Sequence, residues 1–326
     1  MLISLALILD MLVGDPDWLW RRLPHPVVLF GKIIDWFDRR RTLFMAVGAD
    51  ENGRAALRPG IVLLLVLAAL SLGYGLLVRS LPGPLAGIVE LVSVAILVAQ
   101  KSMADHVARV GAALKSDGLE GGRRAVSMIV GRDVSKLDES GVRRAAIESL
   151  SENFADGTVT PVVWYLIAGL PGIVFFKAVN TVDSMVGHRT PRHEWFGKPG
   201  ALLDDWMNWP AARLSALVIW VANFGGGERY WQTVVQGAAT HRSPNAGWPE
   251  TGFAVALNLR LGGPRAYGDD LVEADYLNPQ GKETVSEIDF AAALSLFWRC
   301  CFVLLALVVM VAFASGDFFA FRGLFG

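Results

Sequence analysis

The chain has 326 residues, 53% of them hydrophobic and only 19% charged, with mean hydropathy +0.42. That is too apolar for a soluble protein of this length and predicts an integral membrane protein. A net charge of −1 and a pI near 6.5 give no electrostatic reason to expect nucleic acid as a partner.

The N-terminal stretch MLISLALILDMLVGDPDW has an apolar core, no basic region before it and no small-residue cleavage site, so it reads as a retained short or interfacial helix. Residues 21–58 carry eight Lys/Arg against Asp35, Asp38, Asp50 and Glu51, which places this loop on the cytoplasmic side by the positive-inside rule. Residues 61–78 form an uncharged run long enough to cross a hydrocarbon core of about 30 Å. Residues 85–99 are a weaker span, because Glu90 interrupts them and an intramembrane carboxylate is costly unless paired or hydrated.

Residues 101–160 are then expected in the cytoplasm as amphipathic helices: 101–115, a break at Gly118, Gly121 and Gly122, then 123–130 and 135–155. Residues 161–168 and 173–186 flank the sequence GLPG, where Pro171 and Gly172 break a helix. Each arm spans about 12 to 21 Å, roughly half a bilayer, so a re-entrant helical hairpin stands as an alternative to a single span. Its turn would have to be buried in protein or face water. Residues 211–224 are short for a span, and 225–289 are polar without charge bias. Residues 300–314, extending back to Phe290, form the last span; Cys300 and Cys301 within it read as packed thiols. The fold class is therefore all-α and polytopic, with about four to six membrane helices. With no internal repeat or low-complexity linker, residues 1–326 are read as one unit.

Chemistry concentrates in a few stretches. In ESLSENFADG, Glu148, Glu152 and Asp156 are spaced i, i+4, i+8 on a helix, with Ser149 and Asn153 on the adjoining stripe. Such carboxylates repel unless a cation, a proton or an opposing Lys/Arg sits between them. A Mg²⁺ site and a solvated acidic face both fit this spacing. In KAVNTVDSMVGH, Lys177, Asn180, Thr181, Ser184 and His188 form a polar stripe with Asp183 beside it. A stripe of that kind must face the protein interior or a water-filled cavity; helix–helix hydrogen bonding is the plainer explanation. Asp204, Asp205 and Asn208 lie in DDWMNWP, whose tryptophans suit an interface, though an acidic helix start explains the pair equally. HRSPNAGWPE is turn chemistry throughout. His25, in LPHP, has a structural role as its plainer reading. No GxxxxGK[ST], HExxH, CxxC or GxSxG is present, so nucleotide would depend on carboxylate-held metal and scattered basic residues.

Taken in order, GDP…HPV, ESLSEN with its following DG, KAVNTVDSMVG, DDWMNWPAARL and SPNAGWPE resemble the CobD/CbiB family of cobalamin biosynthesis over nearly the whole chain. The resemblance implies adenosylcobinamide-phosphate synthase activity. In that reaction a carboxyl of adenosylcobyric acid is joined in an amide bond to (R)-1-amino-2-propanol O-2-phosphate, or to aminopropanol, with ATP hydrolysis. It also implies a bacterial inner-membrane protein in contact with lipid, whose site faces the cytoplasm, and leaves a homo-oligomer and assembly with other late-pathway membrane enzymes as open alternatives. The matching positions are Glu148, Ser149, Glu152, Asn153, Asp156, Lys177, Asn180, Asp183, Ser184, Asp204, Asp205, Asn208, Ser243, Asn245 and Glu250, with His25 in the first motif. On this reading Glu148, Glu152, Asp156 and Asp183 hold Mg²⁺, Lys177 offsets phosphate charge, and Glu250 takes the proton of the attacking ammonium. The alternatives are a transporter or corrinoid-handling protein, since broken helices with polar stripes also mark transporters, and a non-catalytic signalling relative linked to β-lactamase regulation.

Overall fold

A computed structural model describes residues 1–267 and 270–315, and it is about 73% helical. In chain order the helices are α1 (Leu2–Val13), α2 (Asp17–Trp20), α3 (Pro26–Arg39), α4 (Leu57–Arg79), α5 (Pro84–Leu97), α6 (Gln100–Val126), α7 (Glu139–Phe154), α8 (Thr160–Val186), α9 (Lys198–Ala222), α10 (Gly227–Thr240), α11 (Gly247–Ala256) and α12 (Glu287–Ala314). Four segments are long and apolar enough to cross a membrane: Arg54–Arg79, Pro84–Val126, Glu139–Val186 and Glu287–Ala314. The all-α polytopic reading holds, and α1 is the short apolar helix expected at the N-terminus. The chain packs as two compact units, one from Met1–Val98 and Thr160–Asn208, the other from Ala99–Val159 and Trp209–Ser315.

In the first unit α4 and α3 pack on α8 around Ile34, Phe37, Leu63, Leu67, Ala178, Val182 and Phe196. Glu90 does lie in an apolar helix, and it accepts a 2.8 Å hydrogen bond from the Tyr165 hydroxyl of α8, which supplies the partner that an acid at that depth requires. The GLPG break decides the path of α8. Ala168 leaves helical geometry and Gly169 takes φ 63°, ψ −152°, a conformation that side chains beyond glycine rarely adopt. A straight helix would carry Thr160 and Asn180 about 30 Å apart. Instead Thr160 Oγ1 donates to Asn208 (2.7 Å), Asn208 Nδ2 donates to Asp204 (2.9 Å), and Asn180 Nδ2 donates to Asp204 (3.2 Å). Three hydrogen bonds bridge the two ends, so the arms of α8 fold back as a hairpin. At the turn a Cβ on Gly172 would stand 2.3 Å from the Trp164 carbonyl oxygen, and one on Gly75 would stand 2.4 Å from the Pro171 ring.

In the second unit α6 breaks at Gly118 (φ 65°), as the glycine cluster predicts, and its short second arm returns so closely that a Cβ on Gly122 would meet Leu114 at 2.3 Å. Asp138 caps α7 by accepting from the Gly141 N–H at 2.7 Å, so this helix starts after the 135 boundary expected. α7 packs on α6, α11 and α12, with Phe154 edge-on to Phe297 at 5.9 Å. A π-helical turn, Ala155–Val159, follows α7. Two expectations change here. The stretch read only as polar, 225–289, contains α10, α11 and four short strands: β1 (Leu261–Gly262) paired antiparallel with β4 (Tyr276–Leu277), and β2 (Arg265–Tyr267) with β3 (Asp270–Val272). HRSPNAGWPE is also not turn throughout, because α11 begins at Gly247 and carries Glu250 in its first turn.

Replacing Gly172 by Leu drives a side chain into the Trp164 backbone and is expected to cost about 1–3 kcal/mol, as overpacking does. A thermal midpoint in detergent equal to that of the unmodified protein would mean the arms are not so close.

Candidate functional site

The first unit gathers a polar cluster where the returning arm of α8 meets the start of α9. Gly200 lets the two helices approach, since a Cβ there would stand 2.4 Å from Val182. One turn later Asp204 is buried, and its two oxygens accept from the side-chain amides of Asn180 and Asn208. Burial first, and then the neighbouring charge of Asp183, push the Asp204 carboxyl up from 3.8 to about 7 against the pull of those two amides. Burial also raises Asp205. Asp183, Asp204 and Asp205 thus form an electrostatically linked carboxylate group, drawn from two of the motifs that the sequence singled out. Lys177 and Asp183 are half-buried on the same arm. Thr181 and Ser184 turn their hydroxyls back onto the carbonyls of Lys177 (2.6 Å) and Asn180 (2.9 Å); Ser184 and His188 are exposed.

His25 sits elsewhere in this unit. It caps α3 by accepting from the Val27 N–H at 3.2 Å, lies edge-on to Trp20 at 4.5 Å and stands 3.7 Å from Asp15.

In the second unit the acidic face of α7 divides. Glu148 is buried: one oxygen is 2.7 Å from Arg132 and the other accepts from the Gly262 N–H at 2.8 Å. Ser149 donates to the Ile129 carbonyl (2.9 Å), and Asn153 donates to the Ser149 carbonyl (2.9 Å). Glu152 is exposed, and Asp156 is half-buried within the π turn. The i, i+8 stripe assumed one continuous α-helix. The wider turn alters that register before Asp156, and it exposes the Gly157 carbonyl to the Ala99 N–H at 2.9 Å.

Glu250 is 1% exposed, with His241 Nε2 3.5 Å away. The His241 Nδ1 lies 3.0 Å from the Ser243 backbone nitrogen and 3.2 Å from the Ser243 carbonyl oxygen, which fixes the ring with Nε2 toward Glu250. The Ser243 hydroxyl accepts from the N–H groups of Asn245 (3.2 Å) and Ala246 (3.1 Å), fixing the entry to α11. His241 and Gly262 both line a small cavity of about 60 Å³, so the neighbours of Glu250 and Glu148 meet at one place. Arg132, His241 and Arg213, which donates to Asn245 at 3.2 Å, are the site residues that sequence reasoning passed over. The requirement for a counter-charge among the carboxylates was the available signal for Arg132. Among the described residues, no three His, Cys, Asp or Glu side chains form a ready-made metal cage.

A helical membrane protein with buried, individually partnered carboxylates on short and broken helices is the class that these observations define. A family model described as CobD/Cbib protein matches residues 3–297, a range that includes every motif above. Relatives called cobalamin biosynthesis protein CobD are 48% identical in Sinorhizobium fredii (94% of each chain), 47% in Rhizobium meliloti (93% of this chain, 94% of the relative) and 46% in a Sinorhizobium species (96% and 98%). No solved structure matches. The chain belongs to the CobD/CbiB family.

The raised Asp204 carboxyl has a pH signature. As pH rises the unfolded chain loses this proton first, near 3.8, and the folded chain only near 7. The stability held by the neutral carboxyl is therefore complete below about pH 4 and is lost on the way to pH 7, at up to about 1.4 kcal/mol per unit. The thermal midpoint of the protein relative to D204N should fall across that window and then level. A difference that stays flat from pH 4 to 8 would contradict the burial assigned here.

Proposed function

We propose that this protein acts in cobalamin biosynthesis as an ATP-dependent amide ligase, joining adenosylcobyric acid to aminopropanol phosphate or aminopropanol at the cytoplasmic face of the bacterial inner membrane. Family membership supports the pathway. The observation that carries the reaction type is the separation of carboxylates into two kinds of environment, one group of acids clustered around the buried Asp204 and one held beside an imidazole.

A carboxylate does not acylate an amine at neutral pH. ATP first turns it into an acyl phosphate with release of ADP; the amine then attacks the acyl carbon, inorganic phosphate leaves, and one proton of the ammonium must be taken up. Asp183, Asp204 and Asp205 suit Mg²⁺: they are hard oxygen donors grouped at one place on two helices, and Mg²⁺ is commonly held by one or two carboxylates plus substrate phosphates, not by a full protein cage. When bound, Mg²⁺ offsets charge on the transferring phosphoryl group. Lys177 on the same arm contributes a second positive charge. Glu152 and Asp156 present the same donor type near the end of α7, whereas Glu148 is already balanced by Arg132 and holds the Gly262 backbone in place. Glu250, oriented by His241, takes the proton of the attacking ammonium.

The test is purified protein with ATP, Mg²⁺, adenosylcobyric acid and aminopropanol phosphate, followed for ADP and amide. D183N and E250Q should each lower kcat by about 10²-fold or more, the scale for losing charge stabilisation or general-base function. Formation of ADP without amide in the parent protein, or full activity in both variants, would refute the assignment. For sidedness, S184C in intact cells should resist an impermeant maleimide and react once the membrane is opened; labelling from outside would put this arm on the wrong face.

A further inference from the structure

Arg213, on α9 in the second unit, is held in a way that a surface arginine is not. Its guanidinium carbon lies 4.4 Å from the Trp209 ring centroid and 4.7 Å from that of Trp248. Its Nη1 donates to the Trp209 carbonyl at 2.9 Å and to Asn245 Oδ1 at 3.2 Å. Among the described residues no group bonds to Nε or Nη2. Two indoles lie within cation–π distance of the guanidinium, two acceptors hold one nitrogen, and the opposite edge is left as a pair of parallel N–H donors. That edge is the one that grips two oxygens of an oxyanion at once.

The plainer explanation is an interfacial arginine resting on the tryptophan belt, and Trp209, 57% exposed, fits such a belt. A snorkelling arginine, however, keeps its charge in water on a flexible stem. It gains nothing from a second indole supplied by another helix and an amide that fixes its rotation, both of which cost side-chain entropy. Immobilising the fork is useful when a ligand must find it already set.

We propose that Arg213 is a phosphate-recognition residue, its Nε–Nη2 edge taking the phosphate monoester of the amine substrate in a bidentate grip. The identity of the substrate rests on the ligase reading above; the oxyanion site does not. A single guanidinium edge suits one phosphate monoester, whereas a triphosphate calls for metal and several cations. The site would therefore set the preference for phosphorylated over free aminopropanol. Asn245, already singled out by its motif, is on this account a positioning residue that locks the fork.

R213K keeps the charge and removes both the fork and the stacked plane. In the full-length protein in detergent, the ratio of kcat/KM for aminopropanol phosphate to that for aminopropanol should fall at least tenfold in R213K. An unchanged ratio, or a raised KM for ATP in its place, would overturn the proposal. A second measurement needs no variant: inorganic phosphate should protect Arg213 from phenylglyoxal in the unmodified protein, read by peptide mass spectrometry, while chloride at equal ionic strength should not. Equal modification in both salts overturns the site even if R213K fails to fold. Protection in a protein that forms no amide sustains the site and removes the ligase reading.

Discussion

A carboxylate taken out of water must find a partner, and in a chain this apolar that requirement organises the whole interior. Glu90 meets the Tyr165 hydroxyl, Glu148 meets Arg132 and a backbone N–H, Glu250 meets His241, and Asp38 meets Arg41 and Arg192. Removing one member of such a pair leaves a buried charge uncompensated, which costs about 3–5 kcal/mol. Several of these pairings therefore pin segments distant in sequence. Asp38 and Arg192, for instance, tie α3 to the connector that joins α8 and α9. Asp204 is the exception, since its hydrogen-bond partners are neutral amides and its neighbours are acids. Burial and those neighbours together hold its carboxyl well above the ordinary carboxylate range.

The pairings depend in turn on helices that stop short. The breaks at Gly118 and Gly169 both use left-handed backbone, and both let an arm fold back along the one before it. An unbroken α8 would carry its polar stripe along a single apolar rod, with Thr160 and Asn180 at opposite ends. The fold-back instead brings both residues onto the same turn of α9, where Asn208 and Asp204 receive them. Proline and glycine at the turn thus decide which polar groups can share a site, and the apolar run on either side supplies only the means of burying it.

The hydropathy runs, the glycine breaks, the hairpin and the order of motifs were readable because each is encoded within a dozen residues. The pairs that complete the candidate site were not, because they join positions far apart: Glu148 with Gly262 across 114 residues, Arg213 with Asn245 across 32. Periodicity misleads where its assumption fails. The i+8 step to Asp156 crosses a π turn that no local residue preference announces, and Pro249, which reads as loop chemistry, lies in the first turn of α11. Short strands such as β1 and β4 hold two residues each, too few for an alternation to register.

The contrast between Glu148 and Glu152 shows what that means for function. One helical turn apart, they are equivalent by spacing, and a sequence argument assigns them one role. The structure buries Glu148 and exposes Glu152, because Arg132 precedes α7 on one side and the strand bearing Gly262 covers it on the other. Both oxygens of Glu148 are committed to protein donors, so its carboxylate orders the loop that carries Gly262 beside the cavity shared with His241. Glu152, by contrast, is exposed to solvent. The densest acidic stretch of the chain is therefore divided within one helix between a buried, charge-balanced strut and an exposed carboxylate, and only the positions of Arg132 and Gly262 tell them apart.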